Sequence, residues 1–346
     1  MNLNNEYLLS KQASRLLWLD VLKGLGIIFV AVGHIYQNKI VFNWLYSFHM
    51  PLFFFAAGWV YKEKEVVSTI KHRLFTIVVP YLSFGFMTLL YWQIIERKFR
   101  SSDMSFAESF VGLLRGQYSL LDFNVHLWFL PAFFSLVVLY NILMRKCGRK
   151  ITYMVCGLLS IVYVLIELPE LPWGLDRICK FVFFYAVGNI LAEYGVKSLS
   201  RAKRVVAGIG LVVINFALSY FGLTNSVMWF VTASIGIAGF VLLSDEISEW
   251  SETPVSVVSS ALQYFGRISL IVLCIHGPVY RIIAKVLAIV LHTETDAVRE
   301  NFITAMLIVA ITMAVCSIGY EIISRICPWM LGKMLRDAKN EKTVSR

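Results

Sequence analysis

Residues 19–34 read LDVLKGLGIIFVAVGH. The stretch has the length and apolarity of the middle of a membrane span, yet it carries Asp20, Lys23 and His34. Ionised groups inside hydrocarbon are expensive and normally face a bundle interior or a polar cavity. Lys23 and His34 are eleven residues apart. At 100° per residue this places them within about 20° of each other around a helix and about 16 Å apart along it. Asp20 lies about 60° from Lys23 on the same broad face. Three polar groups pointing one way describe a helix that lines a passage. Gly24, beside Lys23, leaves room there for a ligand. A plainer reading of the same residues is an i, i+3 ion pair between Asp20 and Lys23, with His34 bonded to a neighbouring helix.

Outward from this helix the chain repeats its apolar character. Of 346 residues 58% are hydrophobic and 16% charged, whereas a soluble domain is nearer 25% charged. Apolar runs of about 20 residues, enough to cross a bilayer, predict ten transmembrane helices. They fall near 16–37, 44–61, 74–94, 125–144, 151–167, 178–195, 205–222, 226–243, 268–290 and 302–328. The fold class is therefore all-α and polytopic, with residues 1–346 as one integral membrane domain. Loop charge sets the orientation. With both termini cytoplasmic, the inner segments hold 20 of the 32 lysines and arginines. The outer loops hold seven: Lys39, Arg97, Lys98, Arg100, Arg115, Arg177 and Arg299. The net charge of +10 thus reflects topology, and its spread over many loops argues against nucleic acid. The six cysteines show no C-x-x-C spacing and read as free thiols; no metal is expected.

In this orientation the polar groups sort by depth. His34, His49 in FHMPLFFFAAGWVY and His126 in HLWFLP gather near the outer surface, and His276 in CIHGP sits at mid-depth with no catalytic role assigned. Asp20, Lys23 and Arg73, in KHRLFTIVVPY, lie toward the inside, where Arg73 also suits a topology anchor. Histidine is the usual general base near neutral pH, and basic groups suit a phosphorylated molecule. Trp44 and Trp128, near the outer face, suit aromatic anchors at the interface. Asp20 is about 21 Å from His34 along the helix, so Ser47, His49 and His126 are better placed to orient it.

These residues carry a resemblance. WLDVLKGLGIIFVAVGH resembles the opening motif of the membrane acyltransferase-3 family, a basic residue followed after ten others by histidine, here Lys23 and His34. SFHMPLFFFAAGWVY resembles the family's second-helix motif, with FAAG at 55–58 in place of the more usual F-x-S-G. HRLFTIVVPY, HLWFLPAFF and FGRISLIVLCIHGPV resemble three further family segments. The chain resembles in particular the family's fucose O-acetylase-like and polysaccharide O-acetyltransferase members. The resemblance implies transfer of an acetyl group from cytoplasmic acetyl-CoA, as co-substrate, to a sugar hydroxyl on a cell-surface polysaccharide or its lipid-linked precursor. It also implies a multi-pass protein of the bacterial cytoplasmic membrane. His34 would be the catalytic histidine and Lys23 a partner in the CoA channel. With that reading, His49 and His126 are candidates to assist His34, Asp20 to neutralise or position Lys23 in the donor site, Arg73 to meet the donor, and Trp44 and Trp128 to stack on the sugar. The competing expectations are acylation of a non-glycan acceptor and export without acyl transfer.

Overall fold

The computed structural model describes residues 16–100, 103–194, 200–223, 225–250 and 256–333. Lys11, Arg15, Lys197 and the basic tail beyond residue 333, all used in the charge count, lie outside the described residues. Among the described residues there is no strand. Eight helical stretches are long and apolar enough to cross a membrane.

The helices are α1 (Leu17–Ile35), α2 (Lys39–Trp59), α3 (Val66–Arg73), α4 (Val79–Ile94), α5 (Phe106–Arg115), α6 (Phe129–Leu165) and α7 (Leu175–Tyr194). They continue as α8 (Arg201–Tyr220), α9 (Ser226–Ser248), α10 (Ser256–Arg267), α11 (Ser269–Val290), α12 (Thr295–Glu300) and α13 (Phe302–Ile326). Each of the ten expected segments is helical. The fourth and fifth are one run, α6, broken at Gly148, whose φ of +73° is a conformation glycine adopts without steric penalty. The sixth, α7, carries Asp176, Arg177, Lys180 and Glu193, too many charges for composition alone to mark it as a span. The third, 74–94, is a π-helical turn, Leu74–Val78, followed by α4, and α3 runs directly into it. Such turns widen a helix and cluster at functional sites.

Apolar faces all round a helix demand burial on all sides, and α1 obtains it. It packs against α2, α9, α10, α11 and α13. In its apolar window 61% of residues are buried, against 22% for α8 at the rim. The polar face that α1 carries is thereby held at the centre of the bundle. Small residues set the closest crossings, as is usual where lipid gives helices no hydrophobic reason to associate. A Cβ on Gly24 would lie 2.0 Å from the Leu262 carbonyl oxygen, and one on Gly266 1.9 Å from that of Asp20. The space at Gly24 is therefore filled by α10, which corrects the expectation that it leaves room for a ligand. On α2, Gly58 of the FAAG stretch meets the Tyr185 carbonyl of α7 in the same way.

Candidate active site

The two ends of the polar face of α1 open into two different cavities. At the lysine end, a cavity of about 490 Å³ is lined by Asp20, Lys23 and Arg73 among apolar groups that include Ile27, Phe53 and Leu273. Lys23 Nζ lies 2.8 Å from Asp20 Oδ1, so the i, i+3 pair forms and still faces the cavity. Arg73 stands at the last turn of α3, immediately before the π turn, whose Thr76 and Ile77 line the same wall. Asp20, Lys23 and Arg73, the three residues expected toward the inside, thus line one cavity.

At the histidine end, His34 meets His126 and His276. The ring centroids are 4.1 Å apart for His34–His126, 4.2 Å for His126–His276 and 5.6 Å for His34–His276. One ring nitrogen from each lies within 4.8 Å of the others. His34 and His126 open onto a cavity of about 920 Å³, lined also by Tyr91, Tyr118, Tyr280 and Arg281. A smaller cavity of about 360 Å³ reaches His34 past Tyr46.

The local sequence explains how the rings come to face one another. Pro278 has no N–H, so the carbonyl four residues back in α11, that of Cys274, loses its helical partner. Asn124 Nδ2 takes its place at 2.8 Å. That bond fixes the Asn124 amide, whose Oδ1 then accepts from His126 Nδ1 at 3.2 Å. Asn124 reaches this position because the 3₁₀ segment Asp122–Trp128 breaks at Asn124, at φ −156° and ψ 76°. His126 therefore belongs to this segment, just before the helix that was expected to contain it. Gly277 leaves the space that the His126 ring fills: a Cβ there would lie 2.7 Å from His126 Nδ1. His276 donates Nδ1–H to the Val272 carbonyl at 2.8 Å. A carbonyl only accepts, so both His126 and His276 carry the proton on Nδ1 and turn the Nε2 lone pair inward. Both Nε2 atoms are buried without a protein partner. His34 Nδ1 lies 2.9 Å from the Tyr46 hydroxyl. Arg299 donates to the carbonyls of His34 and Ile35, at 3.0 and 3.3 Å.

Other expected residues lie nearby without entering the cluster. His49 donates Nδ1–H to the Leu45 carbonyl at 2.6 Å and packs edge-on to Tyr46. Ser47 is engaged with the Trp44 carbonyl and with Asn215. Neither orients His34; Tyr46 and His126 do. Trp44 donates to Asn215 Oδ1 at 2.8 Å and packs on Phe29, Phe48 and Phe216. Trp128 stacks with Phe181 under the Arg177 guanidinium. Neither tryptophan lines the large cavity, whose aromatic wall is made of Tyr91, Tyr118, Tyr280 and Phe99. Sequence reasoning missed His276, Tyr46 and Asn124. The signal for the first was the proline two residues later, which leaves a free carbonyl beside it.

The arrangement can accept a proton at an imidazole, from a group entering the large cavity, about 16 Å from the basic pocket at the other end of the same helix. A search of curated proteins and a search of solved structures each returned no match. A family model described as an acyltransferase domain, acyltransferase-3, matches residues 16–321, which takes in both cavities and all three histidines. The chain therefore belongs to the membrane acyltransferase-3 family.

Proposed function

We propose that this membrane acyltransferase moves an acetyl group from cytoplasmic acetyl-CoA to a hydroxyl of a sugar, carried on a cell-surface polysaccharide or its lipid-linked precursor, across a bacterial cytoplasmic membrane. The observation that carries the reading is the division of one helix face into a basic pocket and a histidine chamber. The loop-charge bias orients the lysine end to the cytoplasm, where the donor is made. Lys23 and Arg73 suit the donor's phosphates, and the apolar wall of the same pocket suits its uncharged arm. The tyrosines of the large cavity suit the faces of a sugar ring.

In this reading the acceptor hydroxyl enters beside His34. With Nδ1–H given to the Tyr46 oxygen, His34 Nε2 is the lone pair that takes the hydroxyl proton. The oxygen attacks the thioester carbonyl, the carbon–sulfur bond breaks, and the imidazolium returns its proton to the departing thiolate. His126, in van der Waals reach of His34, orients the ring. General-base help of this kind contributes about 10²–10⁴-fold. An acetyl-histidine intermediate on His34 is the covalent variant of the same step.

The test is reconstitution. Purified protein in vesicles receives isotopically labelled acetyl-CoA and the host's glycan fraction, and O-acetyl groups are followed by NMR. Label on the glycan with release of free thiol supports the reading. Thiol release with label on lipid or peptide moves the acceptor to another class, and no thiol release with any acceptor overturns it.

A further inference from the structure

We propose that the chamber formed by His34, His126 and His276 is a Zn²⁺ site, and that the bound ion blocks acyl transfer. The first half stands on geometry alone; the second rests on the transfer reading above. Three features of the chamber match what a zinc site requires. The ligands are three imidazoles and no carboxylate, a set that suits zinc and not the hard cations, which take oxygen. Each ring has an outer partner: the Asn124 amide on His126 Nδ1, the Val272 carbonyl on His276 Nδ1, and the Tyr46 hydroxyl on His34, 2.9 Å from Nδ1 and 3.3 Å from Nε2. Metal-bound histidines are held in this manner, because the outer bond fixes the tautomer and aims Nε2 at the ion. Finally, the Nε2 atoms of His126 and His276 are buried and have no protein partner.

Those two atoms make a specific demand. Both are acceptors, so neither can satisfy the other. Whatever lies between them must be a cation or a donor. The ring nitrogens lie within 4.8 Å of one another. Zinc–nitrogen bonds of about 2.0–2.1 Å at tetrahedral angles need nitrogens about 3.4 Å apart. The rings must therefore close by about an ångström or somewhat more, which side-chain rotation supplies. The large cavity, on which His34 and His126 open, is the route in, and it leaves the fourth coordination position for water. Two guanidiniums flank the chamber and neither stands against the ion unopposed: Glu96 accepts from Arg281 at 3.1 Å, and Arg299 lies 3.5 Å from Asp296.

Blocking follows from electron counting. The proton-accepting step needs an imidazole lone pair on His34. An ion held by all three rings takes that lone pair and occupies the space where the acceptor oxygen must sit.

The experiment uses the full-length protein, purified through a histidine-free tag, stripped with EDTA and dialysed. Zn²⁺ is titrated against a chromophoric chelator, and Co²⁺ is added in parallel to read the visible bands of a four-coordinate ion. The expected result is one ion per chain and a Co²⁺ spectrum with nitrogen-dominated bands. Asn124→Ala, which frees His126 from its outer bond, should weaken Zn²⁺ about 10–100-fold, and His276→Gln should weaken it further. Size-exclusion profiles of both variants report folding, and the wild-type Co²⁺ spectrum stands independently of either. In the transfer assay, one equivalent of Zn²⁺ should suppress thiol release, and EDTA should restore it. Absence of tight binding overturns the site, as does binding that survives in both variants. Activity that is lost on stripping and returned by Zn²⁺ overturns the blocking role. Metal binding is read without donor or acceptor, so its failure leaves the acyl-transfer reading untouched, and failure of acyl transfer leaves the site.

Discussion

Replacing Gly277 by alanine adds one carbon to the wall of the histidine chamber and changes no group that does chemistry. That carbon would lie 2.7 Å from His126 Nδ1 and 2.9 Å from its Cε1, with Asn124 Oδ1 at 3.3 Å. Ordinary contact begins at about 3.5 Å, so the ring must retreat by about 0.8 Å. The helix itself cannot yield cheaply, because α11 is pinned at this depth: His276 and Cys274 beside it are fully buried. A shift of this size takes the 3.2 Å bond between His126 and Asn124 out of range and moves the ring that packs on His34. Misplacement by about 1 Å costs on the order of 10²-fold in rate, so Gly277→Ala should lower turnover about 30- to 100-fold. Stability should not fall in step, since alanine is favoured over glycine inside a helix by about 1 kcal/mol. The assay is thiol release from labelled acetyl-CoA in vesicles, with a thermal melt of the same preparation. Gly157→Ala is the control, because a Cβ there meets nothing within 4 Å. A folded Gly277→Ala protein at wild-type rate would refute the placement of His126 in the reaction, and an equal loss in Gly157→Ala would make the effect unspecific.

Further outcomes follow from the same geometry. His34→Gln keeps bulk and hydrogen bonding but not a basic lone pair, so acetylation should drop by about two orders of magnitude with normal membrane insertion; retention of rate would move the chemistry to His126 or His276. Lys23→Ala and Arg73→Ala should raise the KM for acetyl-CoA more than they lower kcat, and Lys23→Arg should keep most of the activity; unchanged donor dependence would leave Lys23 as the partner of Asp20 alone. Cys147 is exposed at the elbow of α6. With the lysine end cytoplasmic, an impermeant maleimide should label it in inverted vesicles and not in intact cells, and the reverse pattern would invert the donor and acceptor sides.

Much of the architecture was legible because hydrophobic length is a strong signal and lipid leaves a chain few choices. The ten segments, the charge on the α6 elbow and the common face of Asp20, Lys23 and His34 all follow from periodicity within one helix. What periodicity cannot carry is which helices meet. His276 sits 242 positions from His34 in the chain and joins it only because α11 packs on α1. Tyr46 lies on α2, one turn from the histidine that had been favoured, and wins because its hydroxyl reaches His34 while the His49 ring spends its donor on its own helix. Gly24 was read as open space. A glycine inside a span marks close approach as readily as a void, and here a carbonyl fills it. The tryptophans had two readings, and the apolar and cationic neighbours around them favour structure.

The grip of Arg299 on the last two carbonyls of α1 has a consequence for how this protein tolerates change. The bond is made to main chain, so it holds whatever side chain occupies position 34. It fixes how far α1 extends along its own axis and how it is turned. One residue of slip in a helix is about 1.5 Å of travel and 100° of rotation, enough to swing the His34 ring out of the chamber altogether. Arg299 belongs to α12, a six-residue helix between α11 and α13, so the length of that connection acts as a gauge block for the histidine end of α1. Insertions or deletions between residues 291 and 301 should therefore silence the enzyme while every chamber residue remains in place.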